Sequence, residues 1–186
     1  MQLPGPDEKI AKPTFDRMQE LVQAAINGLV PAVLPPYSLF GHSLGALICY
    51  ELINALQQQG HPMPQHLFVS GAIAPHISRT TMPVHELTDN RLIEEVARYG
   101  GFNEEIFDHH ELMELLMPRL HADFALFETY TYQKRTPLSC PITAFAGQTN
   151  RYVQRNSVEA LQYHTMAKFQ YESLPVGHFY LNKSAP

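Results

Sequence analysis

Residues Tyr37 to Glu51 read YSLFGHSLGALICYE: a short apolar run, then Gly41-His42-Ser43-Leu44-Gly45, then a segment with apolar residues at helical spacing. A GxSxG stretch between a strand and a helix is the nucleophile elbow, a sharp turn that pushes the serine hydroxyl out over the end of a sheet. The spacing predicts a turn tight enough that only glycine fits on either side of Ser43, at Gly41 and at Gly45. The helix leaving the turn begins at the serine, so its first N–H groups and its dipole point at any negative charge that forms there.

The chain has 186 residues, of which 45% are hydrophobic, enough for one sizeable core and a single domain. Net charge is -5 and the basic residues are scattered, which argues against nucleic acid or an anionic membrane as a partner. No apolar stretch approaches membrane-spanning length, and the amino terminus lacks the regions of a signal peptide. A cytoplasmic protein is expected. Cys49 and Cys140 form no motif and read as reduced thiols.

Outward from the elbow, the residues Phe15, Met18, Leu21, Val22, Ala25, Ile26 and Leu29 predict a helix that Pro31 stops. Tyr37–Phe40 reads as the strand into the turn and Leu44–Gln59 as the helix out, closed by Gly60. Leu67–Ser70, Pro141–Ala146 and Phe169–Leu174 read as further strands, and Val158–Met166 as a helix. Helical character dominates from Leu87 to Tyr132, with breaks expected at Gly100-Gly101 and at Pro118. Alternating strands and helices predict an α/β fold with a parallel sheet covered by helices on both faces. The helical insertion, about residues 85–132, is expected to form a lid over the carboxyl ends of the strands.

A serine nucleophile needs a base within hydrogen-bond reach, and the base needs an orienting acceptor. His178 follows the last strand, with Gly177 before it expected to let the loop approach the nucleophile. The loop after the third strand, Gly147-Gln148-Thr149-Asn150-Arg151-Tyr152-Val153, holds no carboxylate, and Asn150 stands where the acid should be. An amide oxygen still accepts a hydrogen bond from imidazole, but it adds no charge. In serine proteases replacing the triad Asp by Asn costs about 10⁴-fold in kcat. Asp123 and Glu128 are alternative carboxylates, with nothing in their spacing to favour either. His42 reads as a packing or loop-anchoring residue, because adjacent residues on a turn point apart. Asp108-His109-His110-Glu111 looks like a metal cluster, but adjacent histidines on a helix diverge by roughly 100°, so no metal and no cofactor are expected. The apolar run Leu112, Met113, Leu115, Leu116 and Met117 is either lid core or the wall of an acyl pocket.

Ordered landmarks along the whole chain resemble the type II thioesterases, the stand-alone editing enzymes of nonribosomal peptide and polyketide assembly lines within the α/β-hydrolase superfamily. They are Gln2-Leu3-Pro4-Gly5, Leu39–Ala46, Leu67-Phe68-Val69-Ser70-Gly71 with Ala74-Pro75, His85-Glu86-Leu87, Met117–Phe124, Cys140-Pro141-Ile142-Thr143 and Gly177-His178-Phe179. The resemblance implies one α/β-hydrolase domain over residues 1–186 with a lid insertion. It also implies hydrolysis of acyl or peptidyl thioesters on the phosphopantetheine arm of carrier proteins. By matching motif, Ser43 is the nucleophile, His178 the base, Asn150 the residue at the acid position, and the backbone N–H of Leu44 the first oxyanion donor. A monomer acting on acyl or peptidyl carrier domains is expected. Against the family pattern, the chain is expected to lack the amino-terminal strands, with the loop that supplies a second oxyanion donor, and the closing carboxyl-terminal helix. That departure and Asn150 leave two alternatives: a catalytically impaired remnant or carrier-binding module, and a carboxylesterase for small oxygen esters.

Overall fold

The computed structural model describes residues 15–78, 83–99, 109–150, 153–178 and 180–182. These fall into two compact units, one of the described residues within 18–78 and 131–182 and one of the described residues within 83–130 with 15–17.

The first unit is built on four parallel strands in chain order: β1 (Leu39–His42), β2 (Leu67–Ser70), β3 (Ile142–Gly147) and β4 (Phe169–Leu174). β2 and β4 lie where the sequence predicts them, while β1 and β3 run on to His42 and Gly147. Register places Leu39, Leu67, Ile142 and Phe169 in one row, and Gly41, Val69, Ala144 and Tyr171 in the next row on the same face. Against this face pack α2 (Leu44–Gln58) and a short helix of about a turn and a half (Arg155–Glu159), which tightens into a 3-10 turn at Ala160–His164. One apolar core results, with Ala46, Tyr50 and Ile53 from α2, Leu67 and Val69 from β2, Ile142 and Ala144 from β3, and Val158 and Leu161 beyond. The first helix, α1 (Met18–Leu29), buries Met18, Leu21, Val22, Ala25 and Ile26 and packs on α2. Its apolar residues recur every three or four positions, which is why one stripe can be buried.

The other sheet face is built differently. It carries the rows Phe40, Phe68, Thr143 and His42, Ser70, Phe145, in which the Phe68 ring stacks on Phe145 and on His66. Phe40 on this face is 53% exposed.

The second unit holds a helix at Asp89–Tyr99 and a longer one at His110–Glu128. Leu92 and Val96 of the former and Met113 and Met117 of the latter are its buried centre. Pro118 does not break the long helix as expected but lies inside it. Proline removes only its own N–H donor and crowds one carbonyl, a cost that packing on both sides can outweigh. The Gly100-Gly101 break lies outside the described residues.

The elbow is where local sequence constrains the backbone most. A Cβ on Gly41 would overlap the carbonyl oxygen of Gly45 and stand 2.5 Å from Ala46 Cα, whereas a Cβ on Gly45 would meet nothing within 4 Å. The expected need for glycine therefore holds at Gly41 and fails at Gly45, which points away from the strand. Gly41→Ala should destabilise the fold by about 3 kcal/mol or more, because backbone cannot yield as a side chain does. Gly45→Ala should be neutral or stabilise by up to about 1 kcal/mol, as expected inside a helix. Urea unfolding of the two variants checks both.

Candidate active site

Ser43 has φ 52° and ψ -120°, the one non-glycine residue with positive φ among those described. A left-handed backbone at a non-glycine residue costs about 1–3 kcal/mol and is kept only where its surroundings hold it. Here the Ser43 N–H donates to the carbonyl of Ser70 at 2.8 Å, continuing the β1–β2 ladder one residue past the strand. α2 begins at the next residue, so the Leu44 N–H belongs to the first turn, whose donors have no intrahelical acceptor.

His178 and Asn150 are brought together by two loops that run side by side beyond β3 and β4. The Gln148 N–H donates to Leu174 O at 2.8 Å, Thr149 N–H to Val176 O at 3.2 Å, and Asn150 N–H turns back to Gly147 O at 3.1 Å. A Cβ on Gly147 would overlap the carbonyl oxygen of Val176 and stand 2.6 Å from that of Gly177. A Cβ on Gly177 would meet only Thr149 Oγ1, at an ordinary 3.7 Å. The close approach that sequence assigns to Gly177 is made at Gly147. No local signal separates the two glycines, since each stands near the carboxyl end of an apolar strand run.

The Asn150 side-chain amide shares a hydrogen bond of 2.8 Å with His178 Nδ1. As placed, Nδ2–H donates to Nδ1, which puts the ring proton on Nε2. Turning the amide over lets Oδ1 accept from Nδ1–H and leaves Nε2 as the acceptor that a general base needs. A carboxylate would permit only the second arrangement. Asn150 can therefore orient the ring without deciding its tautomer.

Burial, with the neighbouring His42 adding to it, pulls the His178 pKa down to about 4. The His42 ring lies 5.0 Å from that of His178, centroid to centroid, and is likewise lowered by burial. Both rings pack over Gly71, where a Cβ would stand 2.9 Å from His42 Cε1 and 3.3 Å from His178 Nδ1. Gly71 also has φ +59°, so glycine is required there twice over. His42 is thus anchored, as expected of it, through a 2.8 Å hydrogen bond with Ser70 Oγ, but it also faces the candidate base.

The alternative carboxylates have partners in their own helical unit. Asp123 pairs with Arg119 at 3.6 Å, and its pKa is raised by burial in spite of that cation. Glu128 accepts the backbone N–H groups of Val84 and His85 and is 2.5 Å from His85 Nδ1. Of the apparent metal cluster, Asp108 lies outside the described residues, and among the described residues no group of three or more His, Cys, Asp or Glu could hold a metal ion. No helix among them is long and apolar enough to cross a membrane.

With this geometry, comparison with known proteins is decisive on the family. The thioesterase domain family matches residues 1–186 throughout. The chain belongs to the type II thioesterases of the α/β-hydrolase superfamily. It is 36% identical over 184 residues to the gramicidin S biosynthesis protein GrsT of Aneurinibacillus migulanus, covering 99% of this chain and 72% of GrsT. Among solved structures it is similar to RedJ, a thioesterase from the prodiginine pathway of Streptomyces coelicolor, with TM-score 0.92 and 35% identity over 99% of this chain and 72% of RedJ. It is also similar to YbtT, a type II thioesterase from the yersiniabactin pathway, with TM-score 0.85 and 30% identity over 97% of this chain and 74% of YbtT. The thioesterase is accordingly an enzyme of the α/β-hydrolase class, and the parallel sheet flanked by helices among its described residues has that architecture.

A histidine whose folded pKa is lowered loses stability as pH falls. Between the ordinary histidine value of 6.5 and about 4 the unfolded chain binds more protons than the folded one, so stability rises with pH across that window. His164, buried and lowered to about 4, acts in the same direction. The urea midpoint should fall from pH 7 to pH 5 and fall less in Asn150→Asp, whose carboxylate favours the imidazolium. Titration of the His178 Cε1 proton by NMR should show a neutral ring above pH 5 and a raised pKa in the Asp variant.

Proposed function

We propose that the thioesterase hydrolyses acyl or peptidyl thioesters on the phosphopantetheine arm of carrier proteins, with Ser43 as nucleophile and His178 as base. The observation that carries this reading is the strained backbone of Ser43 at the start of α2, on the sheet end where the His178–Asn150 pair also lies. Type II thioesterases of nonribosomal peptide and polyketide pathways, YbtT among its relatives, support the substrate class. In this reading residues 1–186 make one thioesterase domain, and the helical insertion of about residues 85–132, which the chain enters after β2 and leaves before β3, serves as its lid.

Ser43 Oγ attacks the thioester carbonyl while His178 Nε2 takes its proton. The Leu44 N–H donates to the oxyanion, where a dipole fixed in advance lowers the barrier most. Collapse expels the pantetheine thiolate, which takes the proton from His178, and leaves Ser43 acylated. Water then attacks the acyl-enzyme with the same histidine as base, and the free acid departs. Asn150 orients the ring in both halves but adds no negative charge to balance the imidazolium. That neutral amide favours a second reading, a weakly active or inactive protein that binds carrier domains.

Incubation with acyl-loaded carrier protein should release free acid, and Ser43→Ala should lower the rate by about 10³-fold or more. Equal rates would overturn the hydrolase reading, and carrier binding without turnover would establish the second. Asn150→Asp should raise kcat by about 10- to 100-fold, short of the full effect of a triad carboxylate. Its acid limb should move to higher pH with the raised pKa of His178. A change under twofold in a folded variant would place the acid elsewhere, with Asp123 the first residue to replace.

A further inference from the structure

Three side chains next to the candidate base form a hydrogen-bonded chain that the hydrolytic cycle leaves unused. His42 Nδ1 shares a 2.8 Å hydrogen bond with Ser70 Oγ, and Ser70 Oγ shares a short one with the Tyr180 hydroxyl. The Tyr180 ring also meets the His42 ring edge-on, at 5.7 Å between centroids. Ser70 is fully buried at the end of β2, and Tyr180 lies in a 3-10 turn, Tyr180–Asn182, two residues beyond His178. The chain therefore ties the strand beside the elbow to the segment that carries the base.

We propose that His42, anchored through Ser70 and Tyr180, is a positioning residue that sets the ring plane of His178 during thioester hydrolysis. The inference rests on the reading of His178 as the base. Asn150 meets His178 at Nδ1, on one edge of the ring, and a contact against the ring itself constrains its plane in a way that an edge contact does not. His42 supplies that contact. Its ring lies against that of His178, and both stand on the Gly71 backbone. A misplacement of the base by an ångström costs a large factor in rate, so a second contact matters most where the orienting partner is an amide.

The hydroxyl chain also governs charge. When Tyr180 donates to Ser70 and Ser70 donates to His42 Nδ1, the imidazole is neutral with its proton on Nε2. Protonation of His42 would turn Nδ1 into a donor and force the Ser70 proton round towards Tyr180. His178 and Tyr180 are the titratable groups that face His42 among the described contacts. A cation at His42 would oppose the imidazolium that forms on His178, and Asn150 brings no charge to offset it.

The test is a pH profile of S-acyl pantetheine hydrolysis by the full chain, with ¹⁵N NMR of the imidazoles. In Ser70→Ala, kcat should fall about 10-fold with KM changed less than twofold. The acid limb of kcat/KM should also move to higher pH, because His42 loses the hydrogen bond that favours its neutral form. Tyr180→Phe, which keeps the serine, should move both in the same direction by less. His42→Gln, which keeps a side chain able to bond to Ser70 but loses the ring that lies against His178, should lower kcat about 10-fold with KM changed less than twofold. A Ser70→Ala profile that superposes on the wild type overturns the proposal. If the wild type shows no turnover above Ser43→Ala, the hydrolase reading fails and NMR alone decides. Nδ1 of His42 as an acceptor at pH 7, with His42 titrating higher in Ser70→Ala, supports the positioning role; identical titrations of His42 and His178 in the two proteins overturn it.

Discussion

Everything at the site follows from the last hydrogen bond of the β1–β2 ladder, the one from Ser43 N–H to Ser70 O. It extends strand geometry to the residue whose other side must already be helix. A backbone that is strand at its N–H and helix one residue later has few solutions, and φ 52° at Ser43 is the one adopted. Gly41 makes the solution possible, because the first turn of α2 folds back over its Cα. The strain is small beside the core that holds it: Leu67, Ile53 and Ile142 are each fully buried behind the turn. Burying one such side chain is worth about 1.5–3 kcal/mol, so a few suffice to hold one strained residue.

The same strand end assembles the chemistry. Ser70 holds the elbow through its carbonyl and the His42 ring through its hydroxyl, while Gly71 makes room for two imidazoles above it. Two imidazoles whose pKa values burial lowers make a site whose proposed base, His178, is free of its proton over most of the pH range. The weakness is the reverse of that strength: a base that resists protonation is also a poor home for the proton it must carry in the transition state. A triad carboxylate resolves that conflict by charge, and an amide resolves only the geometry.

Much of this architecture is legible in the residues alone. The β2 and β4 strands stand out because Leu67–Ser70 and Phe169–Leu174 are flanked by turn residues, and the elbow because Gly41, Ser43 and a helical apolar pattern coincide. Three details are not legible, for physical reasons. Whether a glycine is needed depends on what lies opposite its missing Cβ, so Gly147 and Gly177 look alike, as do Gly41 and Gly45. Pro118 reads as a breaker because the rule is local, whereas the helix around it is held by Met113 and Met117 packing on Leu92 and Val96. The Ser70–Tyr180 contact joins residues 110 positions apart, and neither type carries a pattern that would announce it.

Glu128 has a consequence for the economy of the chain. Its carboxylate accepts N–H groups from Val84 and His85, so the beginning and the end of a stretch of some forty residues are joined by one side chain. His121 adds a second fastening, through the His85 carbonyl and the Asp89 carboxylate. A segment whose ends are fastened together has already met the entropy of loop closure, which grows only slowly with length. Closure alone sets only a weak limit on how long such a stretch can be, since doubling a flexible loop costs about 0.6 kcal/mol. The strands that precede and follow the stretch in sequence, β2 and β3, pair with each other in a register of their own.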